Sequence, residues 1–347
     1  MRKRVLAFFL LSALSLVAAA SLEVKEGLVK IVVDETTARV SLYRLIDIPK
    51  GVYEPLFFAK DPRTSFATLS IDGVQYRLGD ASDYRFSVSR TDGGALIEFH
   101  SKACIVKENL DFIKSEGAAL ADGIRISYSL ENVSQKDESI GLRLLLDTYL
   151  AEKSGLHFRT DIRARISSEI SLDALSGDSW ISTPGDRADF MVLLKGPGLD
   201  KPDRALLSNW KRLSDESWGF DAVASRNFTL LPYSVNDSAL ALYWQPGPVK
   251  RGDARHIAVI LGAFNAKGYP LQSEGAETDA TATLFASTVL SDSNVEPSVA
   301  MSSDLVAVRD LLSRIDLSIS SGKAPSPEEL VAWQKILDRL EERKKGY

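Results

Sequence analysis

A period-2 alternation of apolar and polar residues recurs from Leu28 to Leu290, and it commits most of the chain to β-strands. It is clearest in Gly141-Leu-Arg-Leu-Leu-Leu-Asp-Thr-Tyr-Leu. Leu142, Leu144, Leu146, Thr148 and Leu150 fall on one face, Arg143, Leu145, Asp147 and Tyr149 on the other. This predicts a central strand with one dry face. Ile124, Ile126, Tyr128 and Leu130 alternate in the same way just upstream, and the polar stretch from Asn132 to Ser139 predicts that the two strands pair as a hairpin. Asp72-Gly73 and the Asp92-Gly-Gly segment each lie between alternating runs, and such dipeptides accept the positive φ of a tight hairpin turn. Gln245-Pro-Gly-Pro reads as a break between strands.

The periodicity changes from 2 to 3.6 after a Ser, Asn and Pro-containing linker over 291–301. Leu305, Val308, Leu311, Leu312, Ile315 and Ile319 share one helical face, and Gly322 is placed to end that helix. Ser326-Pro-Glu-Glu is a capping-box start for a second helix with an apolar face of Leu330, Trp333, Ile336, Leu337 and Leu340. The expected fold is therefore mainly β, a large antiparallel β-sandwich over 21–290 followed by an antiparallel helical pair over 302–347. The pair either docks on the sheet or presents a surface to a partner.

The basic head Arg2-Lys-Arg, the apolar run from Val5 to Val17 and the small-residue site Ala18-Ala-Ala predict a signal peptide over 1–20 and an exported, periplasmic or secreted protein. The apolar run is shorter than the roughly 20 residues of a membrane span. No later stretch could cross a bilayer. Residues 1–20 hold three basic residues and no acidic one, so cleavage leaves 39 Lys and Arg against 47 Asp and Glu, a net charge of −8. That balance gives no electrostatic reason to expect nucleic acid as a partner. Cys104 is the single cysteine, so no intramolecular disulfide can form, and burial is expected for it.

The strand from Gly141 to Leu150 with the following Gly155-Leu-His-Phe, and Leu242-Tyr-Trp-Gln-Pro-Gly-Pro-Val-Lys-Arg-Gly-Asp-Ala-Arg-His-Ile-Ala-Val-Ile-Leu-Gly, resemble segments of bacterial exported proteins with a galactose-mutarotase-like β-supersandwich. The resemblance implies two large antiparallel sheets stacked face to face over roughly residues 25–290. Sugar-processing members use histidines and an acidic base around the sugar ring. His100, His157 and His256 are each isolated here, and no catalytic residue is carried over.

Phosphate-binding Gly loops, paired-His metal motifs, Cys pairs and the Gly-x-Ser-x-Gly elbow are absent from the sequence, which points to no cofactor and no metal. Asp186 with Asp189 and Asp215 with Glu216 are loop acids of the solvated kind. Arg143 and Asp147 lie about 13 Å apart along one strand face, so each needs another partner, in an ion pair or in a ligand groove. Trp210 and Trp218 occupy a polar stretch where an indole either stacks on a ligand or pins the loop. Together with Trp333 these are the candidate binding residues. The first functional reading is a non-catalytic exported protein acting in binding or envelope assembly, with an envelope protein or a glycan as partner. The alternative is a carbohydrate-binding or carbohydrate-active sandwich.

Overall fold

The computed structural model describes residues 21–173, 175–196, 198–270, 297–321 and 324–344. Residues 1–20, the strand expected over 281–290 and Gly322 lie outside them. Among the described residues the strands form three antiparallel sheets. A small one has the order β1 (Ser21–Glu26), β2 (Val29–Asp34), β3 (Arg39–Asp47) and β4 (Val52–Pro55). The other two are large and stack face to face.

One large sheet runs β12 (Arg159–Thr160), β14 (Trp180–Thr183), β15 (Phe190–Leu193), β18 (Ala254–Ala263), β10 (Gly123–Asn132), β9 (Cys104–Ile113), β8 (Gly94–His100) and β7 (Arg85–Thr91). The other runs β13 (Ile170–Asp173), β16 (Arg204–Asn209), β17 (Ser238–Val249), β11 (Glu138–Thr148), β5 (Phe66–Ile71) and β6 (Val74–Arg77). Ile124, Ile126 and Tyr128 of β10 meet Leu142, Leu144 and Leu146 of β11 in the core between the sheets. Val29, Ile31 and Val33 of the small sheet close one part of that core. The mainly β sandwich read from the sequence is the observed architecture.

The expected hairpin of β10 and β11 does not form. β10 pairs with β9 and β18, β11 with β5 and β17, and the connection after Asn132 crosses from one sheet to the other. Alternation alone cannot tell strands lying side by side from strands facing each other across a core, because both arrangements bury every second residue. The Asn132 side chain holds the crossing by donating to the carbonyls of Lys136 and Val249, both at 2.9 Å. The expected turns do form: Ile71 pairs with Val74 across Asp72 (φ 48°) and Gly73 (φ 85°), and Thr91 pairs with Gly94.

Gln245-Pro-Gly-Pro does not end a strand. β17 runs through it, and Gln245 and Pro246 together oppose Gly141, between the pairs Leu142 with Trp244 and Ile140 with Gly247. This is a bulge, the one interior sheet position that suits a proline. A Cβ on Gly141 would stand 2.7 Å from the Pro246 nitrogen, so the bulge also requires a glycine opposite it.

β11 is dry on both faces, not one. A strap consisting of α1 (Trp210–Asp215) and the chain to Ala222 lies over the outer face, where Leu213 and Phe220 pack on Phe66, Leu145, Leu206 and Tyr243. Two further helices end the described chain, α2 (Pro297–Ser321) and α3 (Pro327–Lys344). The first turn of α2 thus falls within the stretch read as linker. Val306 of α2 packs on Leu45 and Leu120, docking the pair on the small sheet, while Ala307 and Leu311 pack on Trp333 and Ile336 of α3. Arg343 meets Asp304 at 3.3 Å, as an antiparallel pair requires. The expected α2 stripe is therefore divided: Leu311 is buried, whereas Leu305, Val308, Leu312 and Ile319 are exposed. No helix among the described residues is long and apolar enough to cross a membrane.

Candidate functional site

The outer face of the β11 sheet is built in transverse rows, since residues paired across antiparallel strands point to the same side. The middle row is apolar: Phe66, Leu145, Ala241 and Leu206 pair in turn and lie beneath the strap. The row toward the strand's C-terminal end pairs Asp147 with Ala239 and Ala239 with Ser208. Asp147 is joined there by two acids from connecting segments. Asp147, Glu152 and Asp237 offer carboxylate oxygens that all lie within 4.8 Å of one another.

Burial pushes the Asp147 carboxyl up to about 7, with Asp237 and Asp61 adding repulsion against the Thr64 hydroxyl that favours the ionised form. Burial likewise lifts Glu152 to about 8, although its Oε1 accepts the Ser238 N–H at 3.2 Å. Asp237 is raised by burial too, opposed by a bond from Ser234. Among the described residues no basic side chain pairs with any of the three. Such a cluster shares protons near neutral pH, so that it both donates and accepts hydrogen bonds. Its hard oxygen donors could also hold a divalent cation.

Trp210 adjoins this cluster. Its indole N–H donates to the Thr64 carbonyl at 2.8 Å and its backbone N–H to the Asp237 carbonyl at 3.1 Å. The sheet and the strap therefore bring Asp147 and Trp210 together. Trp218 sits at the other end of the strap, edge-on to Tyr243 at 5.9 Å with its N–H on Gln245 Oε1 at 3.0 Å. Arg143 is completely buried below the strap, where Nε donates to the Tyr243 hydroxyl at 3.0 Å and Nη2 to the Leu213 carbonyl at 2.7 Å. Trp333 is held apart from all of these, between α2 and α3.

His157 is buried against Phe228 and pushed down to about 4 by that burial. Cys104 is buried in the sandwich core, where its thiol is pushed up to about 12. Asp189 pairs with Arg159 at 2.9 Å, and Asp215, which ends α1 and does not lie in a loop, pairs with Lys211 at 2.6 Å. Glu152 and Asp237 carry no sequence signal of their own. They are 85 residues apart and meet only because both border the end of the β11–β17 ladder.

No family model and no curated protein matches the chain. Among solved structures, a galactose mutarotase related enzyme from Lactobacillus acidophilus is similar at 10% identity and a TM-score of 0.42, over 73% of this chain and 100% of that one. A galactose mutarotase-like protein from Lactobacillus casei gives 11% and 0.41, over 71% and 100%. A TPR-domain containing protein from Parabacteroides distasonis gives 9% and 0.42, over 93% of this chain and 65% of that one. The chain is thus similar to galactose mutarotase-like structures at the level of fold, and at these scores the likeness carries no argument about activity and transfers no residue's role.

Proposed function

We propose that this chain is a carbohydrate-binding or carbohydrate-active sandwich protein that takes its ligand at the Asp147, Glu152 and Asp237 cluster. The reading rests on one observation: three carboxyl groups converge from three segments with no basic partner among the described residues. Two of them hold protons near neutral pH, because burial lifts them to about 7 and about 8. Neighbouring hydroxyls of a sugar each present a donor and an acceptor, and a partly protonated acid cluster matches both.

Glycan-array binding and polarimetry on aldoses test this. The purified protein should retain a glycan or speed mutarotation, and Asp147→Asn with Asp237→Asn should weaken that about tenfold or more while leaving the circular dichroism unchanged. Calcium binding without glycan binding, or glycan binding untouched by both substitutions, would remove the reading.

A second reading is export, expected from the basic head and apolar run of residues 1–20, and assembly with a partner through the helical pair, for which the exposed Leu305, Leu312 and Ile319 of α2 and Leu330 and Leu337 of α3 offer an apolar surface. Fractionation of cells expressing the full chain, followed by crosslinking of wild type and Leu312→Glu, tests both parts of it. The reading loses its support if the protein stays in the cytoplasm or its crosslinks are unaffected by the substitution.

A further inference from the structure

The third row of the outer face is cationic. Arg77 of β6 pairs with Thr68 of β5, Thr68 with Arg143 of β11, Arg143 with Tyr243 of β17, and Tyr243 with Arg204 of β16. Five adjacent strands thus set three arginines in one line, on one side of the sheet. The guanidinium carbons of Arg143 and Arg204 lie 5.3 and 4.5 Å from the centre of the Tyr243 ring, and that of Arg77 lies 3.9 Å from the centre of Phe66.

Buried arginines normally meet a carboxylate. Among the described residues none pairs with Arg143 or Arg204, and Arg77 has only the exposed Asp80 at 3.9 Å. Asp173 is next in the row beyond Arg204, but its Oδ1 accepts from Leu175 N. The charges nearest Arg143 include Arg77 and Arg204, and they repel it. The arginines donate instead to carbonyls of the strap: Arg143 to Leu213, Arg77 to Ser214, and Arg204 to Trp218 and Phe220. Those bonds satisfy donors without supplying a counter-charge, and the short α1 offers at its C-terminal end no more than a fraction of one. Three buried donors on the row still have no partner, namely Arg143 Nη1, Arg204 Nε and the Thr68 hydroxyl.

We propose that this row is a binding site for an oxyanion, a phosphate, sulfate or carboxylate group received by Arg143, Arg204 and Thr68 beneath the strap. An anion there would supply the missing charge, and oxygens arranged around one centre suit guanidinium donors. Arg77 and Arg204, which donate to the strap on either side of Arg143, are only partly buried, whereas Arg143 is fully buried. The site is separate from the carboxyl cluster, which lies at the other end of the same face.

Isothermal titration of the purified protein with inorganic phosphate, sulfate and glucuronate tests the proposal, with glucose as the uncharged control and chloride holding the ionic strength constant. At least one oxyanion should bind one-to-one. Arg204→Gln should weaken it about tenfold or more, and Thr68→Val, which keeps shape and charge, severalfold. Tighter binding of phosphate or sulfate identifies a free inorganic anion as ligand, and tighter binding of glucuronate identifies the carboxylate of an acidic sugar. Both substitutions leave Arg143 in place, so folding should survive, and circular dichroism checks this. If no oxyanion binds above the chloride background, or if binding is unchanged in both variants, the row only anchors the strap.

Discussion

Glu169 is a buried tie between the sheet and the strap. It is 1% exposed, and its carboxylate accepts from Ser208 Oγ at 2.8 Å, Arg212 Nη1 at 2.5 Å and Val223 N at 2.9 Å, joining β16, α1 and the chain beyond α1. Arg212 also donates to the carbonyls of Asn227 and Thr229. Glu169→Ala should cost roughly 3–5 kcal/mol, because it leaves the Arg212 charge unpaired inside the protein, and Glu169→Gln should cost less. Denaturant midpoints of the two variants check the order, and equal losses would show that charge is not the issue. Strand parity makes Arg143 and Asp147 readable from the sequence as residues of one face. Nothing local marks Glu152 or Asp237 as members of the acid cluster, or Glu169 as a tie to the strap, since each takes its meaning from contacts made far along the chain.

At the scale of elements, the features read correctly are those that local chemistry decides. Ser326 accepts from Glu329 N at 3.1 Å while Glu329 Oε2 accepts from Ser326 N at 2.7 Å, the reciprocal cap expected at the start of α3. Ser326→Ala should therefore cost about 1 kcal/mol, read as faster hydrogen exchange over the first turns of α3 with the sandwich strands unaffected. Exchange unchanged in α3 would mean that packing of Trp333 and Ile336, not the cap, holds the helix start. The elements read wrongly are those that long-range packing decides. β10 and β11 have the alternation of a hairpin yet face each other across the core, and Pro246 sits in a strand because a bulge opposite Gly141 admits it. On α2, the apolar residues of the expected stripe outnumber those the docked face covers. Val306 and Ala307, which lie outside that stripe, share the packing with Leu311 and Ile315.

Across the whole molecule, buried titratable groups set how stability follows pH. Glu108 lies between the sheets beside a cavity of about 30 Å³ that Arg39 and Tyr128 also line, and it accepts the Tyr128 hydroxyl at 3.0 Å. Burial pushes it from 4.5 up to about 7, in the same direction as Asp147 and Glu152. A carboxyl raised in the folded state binds its proton more tightly there than in the unfolded chain. Its stabilising contribution is thus complete below the unfolded value and lost as pH rises through the folded one. For Glu108 alone the loss amounts to roughly 3 kcal/mol between pH 4.5 and 7. His157 has the opposite sign: lowered from 6.5 to about 4, it contributes above 6.5 and loses that contribution as pH falls toward 4. Between pH 4.5 and 6.5 the two effects oppose each other, while above 6.5 only the carboxyls act. The urea midpoint should therefore fall from pH 6.5 to 8, and Glu108→Gln, which stays neutral and can still accept from Tyr128, should flatten that fall. His157→Gln should leave it alone and change only the acid limb. Equal midpoints for the wild type at pH 6.5 and 8 would mean that these carboxyls ionise in the folded protein at ordinary values, and the proton-sharing cluster on which the proposed function rests would fail with them.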